Sequence, residues 1–278
     1  MKISNHRLQG DLPYGLAGEI KFVKSPNFSG NLDPDTVVIH YTAGRDAESA
    51  VKTLCDPNVK ASAHLVIGRE GEVYQLVPFN VIAWHAGQSS YGGRTGYNKY
   101  SVGIEIDNAG VLTRSDHQYV SWFGRVYEAK DVVQAVHRNE TTPRYWHRYT
   151  EVQILLVEEI CRLLVAQYGI RDILGHEEIA PHRKIDPGPA FPLDKMRQRI
   201  LHPNRDQDAG EEFEFPASGI VSAERLNIRA AAGGFGEKIA RPLPRNTRVK
   251  ILEEKNGWYR VKTEIEGWVS ADYIQLEK

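Results

Sequence analysis

The run TVVIH at residues 36–40 constrains this chain more than any other stretch. Val37, Val38 and Ile39 follow one another with no polar alternation, so a strand made of them must be covered on both faces. The run breaks at Gly44, and the next segment, AESAVKTLCD, places Ala47, Ala50, Val51 and Leu54 at helical spacing. AHLVIGREGEVYQLV reads as two short strands around Arg69-Glu70-Gly71. In YSVGIEIDNAG, Val102, Ile104 and Ile106 alternate with Gly103 and Glu105, the period of a strand. The clearest helix is YTEVQILLVEEICRLLVAQYG, which opens with a Thr150/Gln153 capping box. Its apolar stripe is Val152, Leu155, Leu156, Ile160, Leu163 and Leu164. These elements predict an α/β domain, a mixed sheet flanked by helices, with the strand order left open.

Composition divides the chain. HPNRDQDAGEEFEFPASG (202–219) combines prolines, glycines and acids without any helical or strand period, which marks a linker. The expected organisation is a domain over 1–205, a linker over 206–217 and a small module over 218–278. In that module TRVKILEE alternates Val249 and Ile251 with Arg248 and Lys250, and Asn256-Gly257 signals a hairpin, so a small all-β barrel is expected. The formal net charge is −1, which leaves no electrostatic footprint for nucleic acid or an anionic membrane. No stretch approaches the ~20 apolar residues of a membrane span. The N-terminus lacks the apolar core of a secretory signal. Cys55 and Cys161 fit no metal or redox spacing and read as free thiols.

Ligand-type and acid–base side chains crowd ILGHEEIAPHRKIDPGPAF (173–191), which Pro181, Pro187 and Pro189 mark as an ordered loop. His40, at the end of its apolar strand, joins His176 and Asp186 as two imidazoles and a carboxylate. Three such ligands, with a fourth position for water, are what a catalytic zinc needs. Zinc lowers the pKa of a bound water to about 7. Glu105 is the candidate general base, and Lys184 the candidate stabiliser of an oxyanion. The chain has 10 histidines, so spacing alone leaves a zinc site and a set of ordinary histidines both open. His6, His117, His137, His147 and His202 read as solvated, His182 is left outside the metal site, and Glu177 and Glu178 receive no role.

The blocks VVIHYTAG, ASAHLVIGREGEVYQLVPFNVIAWHAG, GYNKYSVGIEIDN and LGHEEIAPHRKIDPGPAF, in this order, resemble the type-2, AmpD-like family of N-acetylmuramoyl-L-alanine amidases. The resemblance covers residues of about 20 to 200. It implies the type-2 amidase fold and one zinc ion held by His40, His176 and Asp186, with Glu105 and Lys184 at the catalytic positions. The implied reaction cleaves the amide between N-acetylmuramic acid and L-alanine of peptidoglycan or muropeptides. Some members use a tyrosine just before the histidine of the second block; here Ala63 precedes His64, which puts more weight on Glu105. Phage-type members often have cysteine where this chain has Asp186. Tyr41, Trp84 and His85 are candidate substrate contacts; alternatively Trp84 packs the core and His85 supports a ligand. The segment from about Thr113 to Arg148 reads as an insertion that either walls the cleft or adds a peripheral helix.

LNIRAAAG, NGWYRVK and EGWVSADYI are similar to bacterial Src-homology-3-like domains, common on wall hydrolases, with Trp258 and Tyr273 as candidate groove residues. That resemblance points to the cell wall or periplasm, reached by lysis or non-classical export, with cytoplasmic action on recycled fragments as the alternative. Two rival functions remain at this level. One is a non-catalytic peptidoglycan-binding protein, and the other a zinc peptidase cutting within the stem peptide. Oligomeric state is not legible.

Overall fold

The protein is described from a computed structural model covering residues 1–13, 16, 18–116, 118–202, 218–230, 237–255 and 258–263. By its internal contacts the chain falls into two units, Met1–Asn204 and Arg205–Lys278. The centre of the first is a six-stranded mixed sheet. Strands Asp172–Gly175, Thr36–Tyr41, Ser101–Ile106 and Leu65–Ile67 run parallel in that spatial order. Val73–Gln75 then pairs antiparallel with Leu65–Ile67, and Ile20–Phe22 pairs parallel on the edge. The predicted hairpin is therefore present, with Leu65 opposite Gln75.

Two-sided burial follows from the two-residue period of the strands. Val37 and Ile39 turn one way, into the cluster built with Val102, Ile104 and helix α2 (Glu151–Tyr168), whose Leu156, Val157, Ile160, Cys161 and Leu164 are fully buried. Thr150 and Gln153 form the expected reciprocal cap, and Gly169 ends the helix in the left-handed region at φ 68°. Val38 and Val66 turn to the opposite face, which is covered only in patches. Helix α1 (Ala47–Leu54) packs Ala47 and Val51 there, beside a second patch of Ala86, Tyr97, Leu174 and Ile179. His40 and Glu105 continue the Val38 and Gly103 rows, so both emerge on this less covered face.

Two expectations are corrected here. His176–Ile179 is a single helical turn (α3), not loop, because the prolines that exclude a helix all come after it. Among the described residues the 113–148 segment adds no α-helix, only the 3-10 turn Ala129–Asp131. Residues 111–147 form a five-stranded antiparallel sheet in the order Val126–Tyr127, Gln118–Val120, Val111–Ser115, Pro143–His147, Val132–Val136. Trp146, 1% exposed, anchors it through an Nε1–H bond to the Ala135 carbonyl.

In the second unit, Ser218–Ile220, Arg248–Lys255 and Trp258–Lys262 form an antiparallel sheet, with Lys255 opposite Trp258. Val249 and Ile251 alternate with exposed Arg248 and Lys250, as expected. Trp258 is half-buried and Tyr259 exposed. The 206–217 linker, Asn256-Gly257 and Tyr273 lie outside the described residues. Among the described residues no helix is long and apolar enough to cross a membrane.

His64 ties strand Ser101–Ile106 to strand Val81–Ala83. Its Nε2–H donates to the Val81 carbonyl at 2.9 Å, and its Nδ1 accepts from Gly103 N–H at 3.0 Å, so the ring is neutral and fully used. Burial pushes its pKa down to about 4. Below the unfolded value of about 6.5 the unfolded chain therefore takes up a proton that the folded chain refuses. Stability is complete above that pH and falls by up to ~3 kcal/mol as the pH drops toward the folded value. The melting temperature should fall between pH 6.5 and 4, and fall less steeply in His64→Asn; equal slopes by calorimetry would refute this assignment.

Candidate metal centre

Parallel pairing brings the site together. His40 and Glu105 are register partners on adjacent strands, and His176 follows directly on the third, at the start of α3. His40 Nδ1, His176 Nδ1 and Asp186 Oδ2 form a triangle with sides of 2.9, 3.0 and 3.0 Å, and all three residues are buried. Ligand atoms around a tetrahedral zinc at about 2.0–2.1 Å stand roughly 3.3 Å apart, so the triangle has the required size within a few tenths of an ångström.

The protons decide what the triangle can hold. His176 Nε2 lies 3.1 Å from the Ala86 carbonyl, which only accepts, so a proton on Nε2 completes that bond and in the neutral ring leaves Nδ1 as a ligand atom. His85 Nε2 lies 3.2 Å from the Ser101 carbonyl, so His85 Nδ1 is bare as well and accepts from His40 Nε2–H at 3.0 Å. His40 Nδ1 is then bare too. Burial and the neighbouring His176 push His40 down to about 4, which keeps the ring neutral. With both rings neutral, three lone-pair atoms face one another, an arrangement that a shared metal ion satisfies, and the donor set of two imidazoles and a carboxylate suits zinc.

The surrounding cavity has a volume of about 380 Å³. Glu105, Lys184, Tyr41, Trp84 and His85 all line it, together with the three candidate ligands. Glu105 Oε2 is buried without a hydrogen-bond partner, and burial, reinforced by Asp186, raises its pKa well above the usual carboxylate range against the pull of Lys184. Of the two readings of Trp84, the cleft-lining one fits its position: it is half-buried, with Nε1–H bonded to Ser29 Oγ at 3.1 Å. For His85 both readings hold, since it lines the cavity and fixes the tautomer of His40. Its ring lies over Gly103, where a Cβ would come within 2.4 Å. Burial also raises the pKa of Tyr41. His182 is exposed and plays no part in the cluster.

Sequence reading missed the support of the metal loop. His137 and His147, expected to be solvated, are 1% and 5% exposed. Glu177 is buried and accepts from His137 Nε2–H at 2.7 Å, Arg138 Nε–H at 3.0 Å and Gly188 N–H at 3.0 Å, while its own N–H donates to the Asp186 carbonyl at 2.8 Å. Gly188 itself sits at φ 71° against the Trp146 ring, leaving no room for a side chain. Glu178 accepts from Gly175 N–H and pairs with Arg138 and Arg197. Arg183 Nη2 donates to the carbonyls of Ala86 and Gln88, both at 2.8 Å, and so holds the loop to which His176 is bonded. A buried acid next to a ligand was the available signal for Glu177. Its partner His137 lies 40 positions away, out of reach of any local pattern.

Residues 30–189 match the family model described as N-acetylmuramoyl-L-alanine amidase, and residues 224–275 match that of the bacterial SH3 domain. The chain belongs to the N-acetylmuramoyl-L-alanine amidase family. It is 33% identical over 175 residues to the 1,6-anhydro-N-acetylmuramyl-L-alanine amidase AmpD of Salmonella typhimurium, covering 62% of this chain and 68% of that protein. It is 31% identical over 172 residues to the N-acetylmuramoyl-L-alanine amidase AmiD of Escherichia coli, covering 59% and 52%. Among solved structures, a selenomethionine derivative of AmpD aligns with a TM-score of 0.49 at 26% identity, over 72% of this chain and 99% of that one.

The Glu177 network generates a prediction. Glu177→Ala should loosen the 186–188 loop and weaken zinc binding about 10- to 100-fold, the usual cost of removing a ligand's support. Competition against a chromophoric chelator measures this; unchanged affinity would mean that the loop holds itself.

Proposed function

We propose that the chain is a zinc-dependent amidase that hydrolyses the bond between N-acetylmuramic acid and L-alanine in muropeptides or peptidoglycan. One observation carries the reading. Three bare ligand atoms converge beside a carboxylate whose buried Oε2 has no partner, in a cavity that also holds an ammonium group. When bound by His40, His176 and Asp186, zinc supplies Lewis acidity and acidifies a water. Glu105 takes the proton from the attacking water and returns it to the leaving amide nitrogen, a transfer favoured by a carboxyl with a raised pKa. Lys184 offsets the charge that collects on the carbonyl oxygen. Tyr41, Trp84 and His85 line the walls that position the substrate. The bacterial SH3 match supports attachment to peptidoglycan, with Trp258 and Tyr273 as groove residues, and action at the wall. Tethering of that kind raises the local substrate concentration.

Incubation with muropeptides, followed by mass spectrometry, should show intact stem peptide beginning at L-alanine. Fragments cut within the stem would establish a peptidase instead, and no release from zinc-loaded protein would leave a binding module. Glu105→Gln should lower kcat by about 10²–10⁴-fold, the range of general acid–base catalysis, while metal analysis still finds one zinc per chain. A variant that keeps its rate would remove Glu105 from the chemistry.

A further inference from the structure

Residues 42–45 carry the chain from the end of strand Thr36–Tyr41 to Asp46, the N-cap of α1. Both ends of this connection are fixed. Thr42 N–H donates to the Ile106 carbonyl at 3.0 Å, and Asp46 accepts from Ser49 N–H at 2.7 Å. Between them Ala43 stands at φ 49°, in the left-handed region where a Cβ crowds the backbone, so an alanine stays there only if something holds it. Within the connection, Gly44 N–H donates to Thr42 Oγ1 at 3.3 Å, a long bond that offsets little of this strain. The position matters, because Ala43 follows the ligand His40 closely and lines the metal cavity, while Gly44 lines a second cavity of about 300 Å³ beside it.

The hold comes from a distant turn. Residues 121–125 close the hairpin between Gln118–Val120 and Val126–Tyr127 in the inserted sheet, and they are fastened to one another. Ser121 N–H donates to the Arg125 carbonyl and Gly124 N–H to the Ser121 carbonyl, both at 2.9 Å, and Arg125 N–H donates to Ser121 Oγ at 3.0 Å. From this self-supporting tip, Trp122 Nε1–H donates to the Ala43 carbonyl at 2.8 Å. Two weaker contacts bear on the far end of the connection. Arg125 Nη1 donates to the Arg45 carbonyl at 3.3 Å, and the Arg45 guanidinium lies 5.6 Å from the centre of the Phe123 ring. Trp122 is 76% exposed, so packing of its ring does not account for its place. The strongest contact of this side chain is the bond to the strained residue.

We infer that Trp122 is a positioning residue of the metal cavity, whose indole N–H straps the inserted sheet to Ala43 and holds the cavity rim in its left-handed conformation. Without that bond Ala43 relaxes to an ordinary backbone conformation, and the rim no longer keeps one shape. The reacting groups do not depend on the strap, because sheet register fixes His40 beside Glu105. Resting on the proposed amidase function, the strap therefore contributes to holding substrate and not to the chemical step. Loss of binding energy that is uniform between ground state and transition state raises KM and leaves kcat alone.

Trp122→Phe keeps an aromatic ring in place and removes the donor. In the full-length, zinc-loaded variant, KM for a muropeptide should rise about tenfold at similar kcat, the scale on which a left-handed alanine is disfavoured. Thermal melting and zinc affinity should match the wild type, since the substituted ring is exposed. Without substrate, amide hydrogens in peptides spanning 42–46 should exchange faster than in the wild type. Adding Ala43→Gly, which takes a positive φ with no Cβ to crowd the backbone, should return KM toward the wild-type value. A ring that only stacks on substrate would gain nothing from that second change. An unchanged KM in Trp122→Phe overturns the inference, and so does a raised KM that Ala43→Gly leaves in place. A KM raised in Trp122→Ala but not in Trp122→Phe assigns the effect to the ring and overturns it as well. If no muropeptide is cleaved by any form, the amidase reading fails, and the exchange measurement still decides whether Trp122 holds the rim.

Discussion

Three lone pairs held about 3 Å apart in a buried site form the constraint around which this domain is organised. Like-polarity atoms this close repel, so they persist where the remaining ring nitrogens of the two histidines are committed. The commitment runs outward through backbone carbonyls. Ser101 fixes the His85 proton, His85 fixes the proton of His40, and Ala86 fixes that of His176. Strands Thr36–Tyr41 and Ser101–Ile106 are register partners, so the sheet that places His40 beside Glu105 also supplies the carbonyl that sets His40's tautomer. Fold and protonation state are therefore one fact. A register slip of one residue would turn His40 toward α2 and break the chain of donors together with the site.

Asp186 has no strand to hold it, and the loop compensates with charge. Glu177 bonds on both sides of Asp186, reaching the Gly188 amide with its carboxylate and the Asp186 carbonyl with its own amide. Leaving Glu177 unpaired at 3% exposure would be costly, so His137 and Arg138 of the inserted sheet complete it. The insertion is thereby part of the metal centre's support, and the same sheet reaches the cavity rim through Trp122.

What could be read from the sequence and what could not divides along interaction range. The 36–40 run, the Thr150/Gln153 cap and the 65–75 hairpin are encoded by residues within a few positions of one another, and each appears where the pattern placed it. His40, His176, Asp186, Glu105 and Lys184 were legible because blocks of residues around each carry a family resemblance; spacing alone left them among 10 histidines. Interactions between distant segments were not legible. His137 looked solvated because its acceptor is 40 residues away, and His147 because a cavity wall has no local signature. The insertion was misjudged for a related reason. Its strands are only two to five residues long, and their pairing is not visible in the local sequence pattern.

Glu105 and Asp107 stand two residues apart where one strand leaves the sheet, and burial raises the pKa of each. Glu105, whose buried Oε2 has no partner among the described residues, costs the fold free energy that an apolar residue in its place would not. That cost is offset on the other face of the same strand, where Val102, Ile104 and Ile106 are fully buried in the α2 cluster. The two-residue period of a single strand thus separates the residues that hold the domain together from those that face its cavities. Glu105 opens onto the metal cavity and Asp107 onto the neighbouring cavity. A buried carboxyl oxygen left without a partner where the sheet ends is what a reactive site requires, because the missing partner is then the ligand.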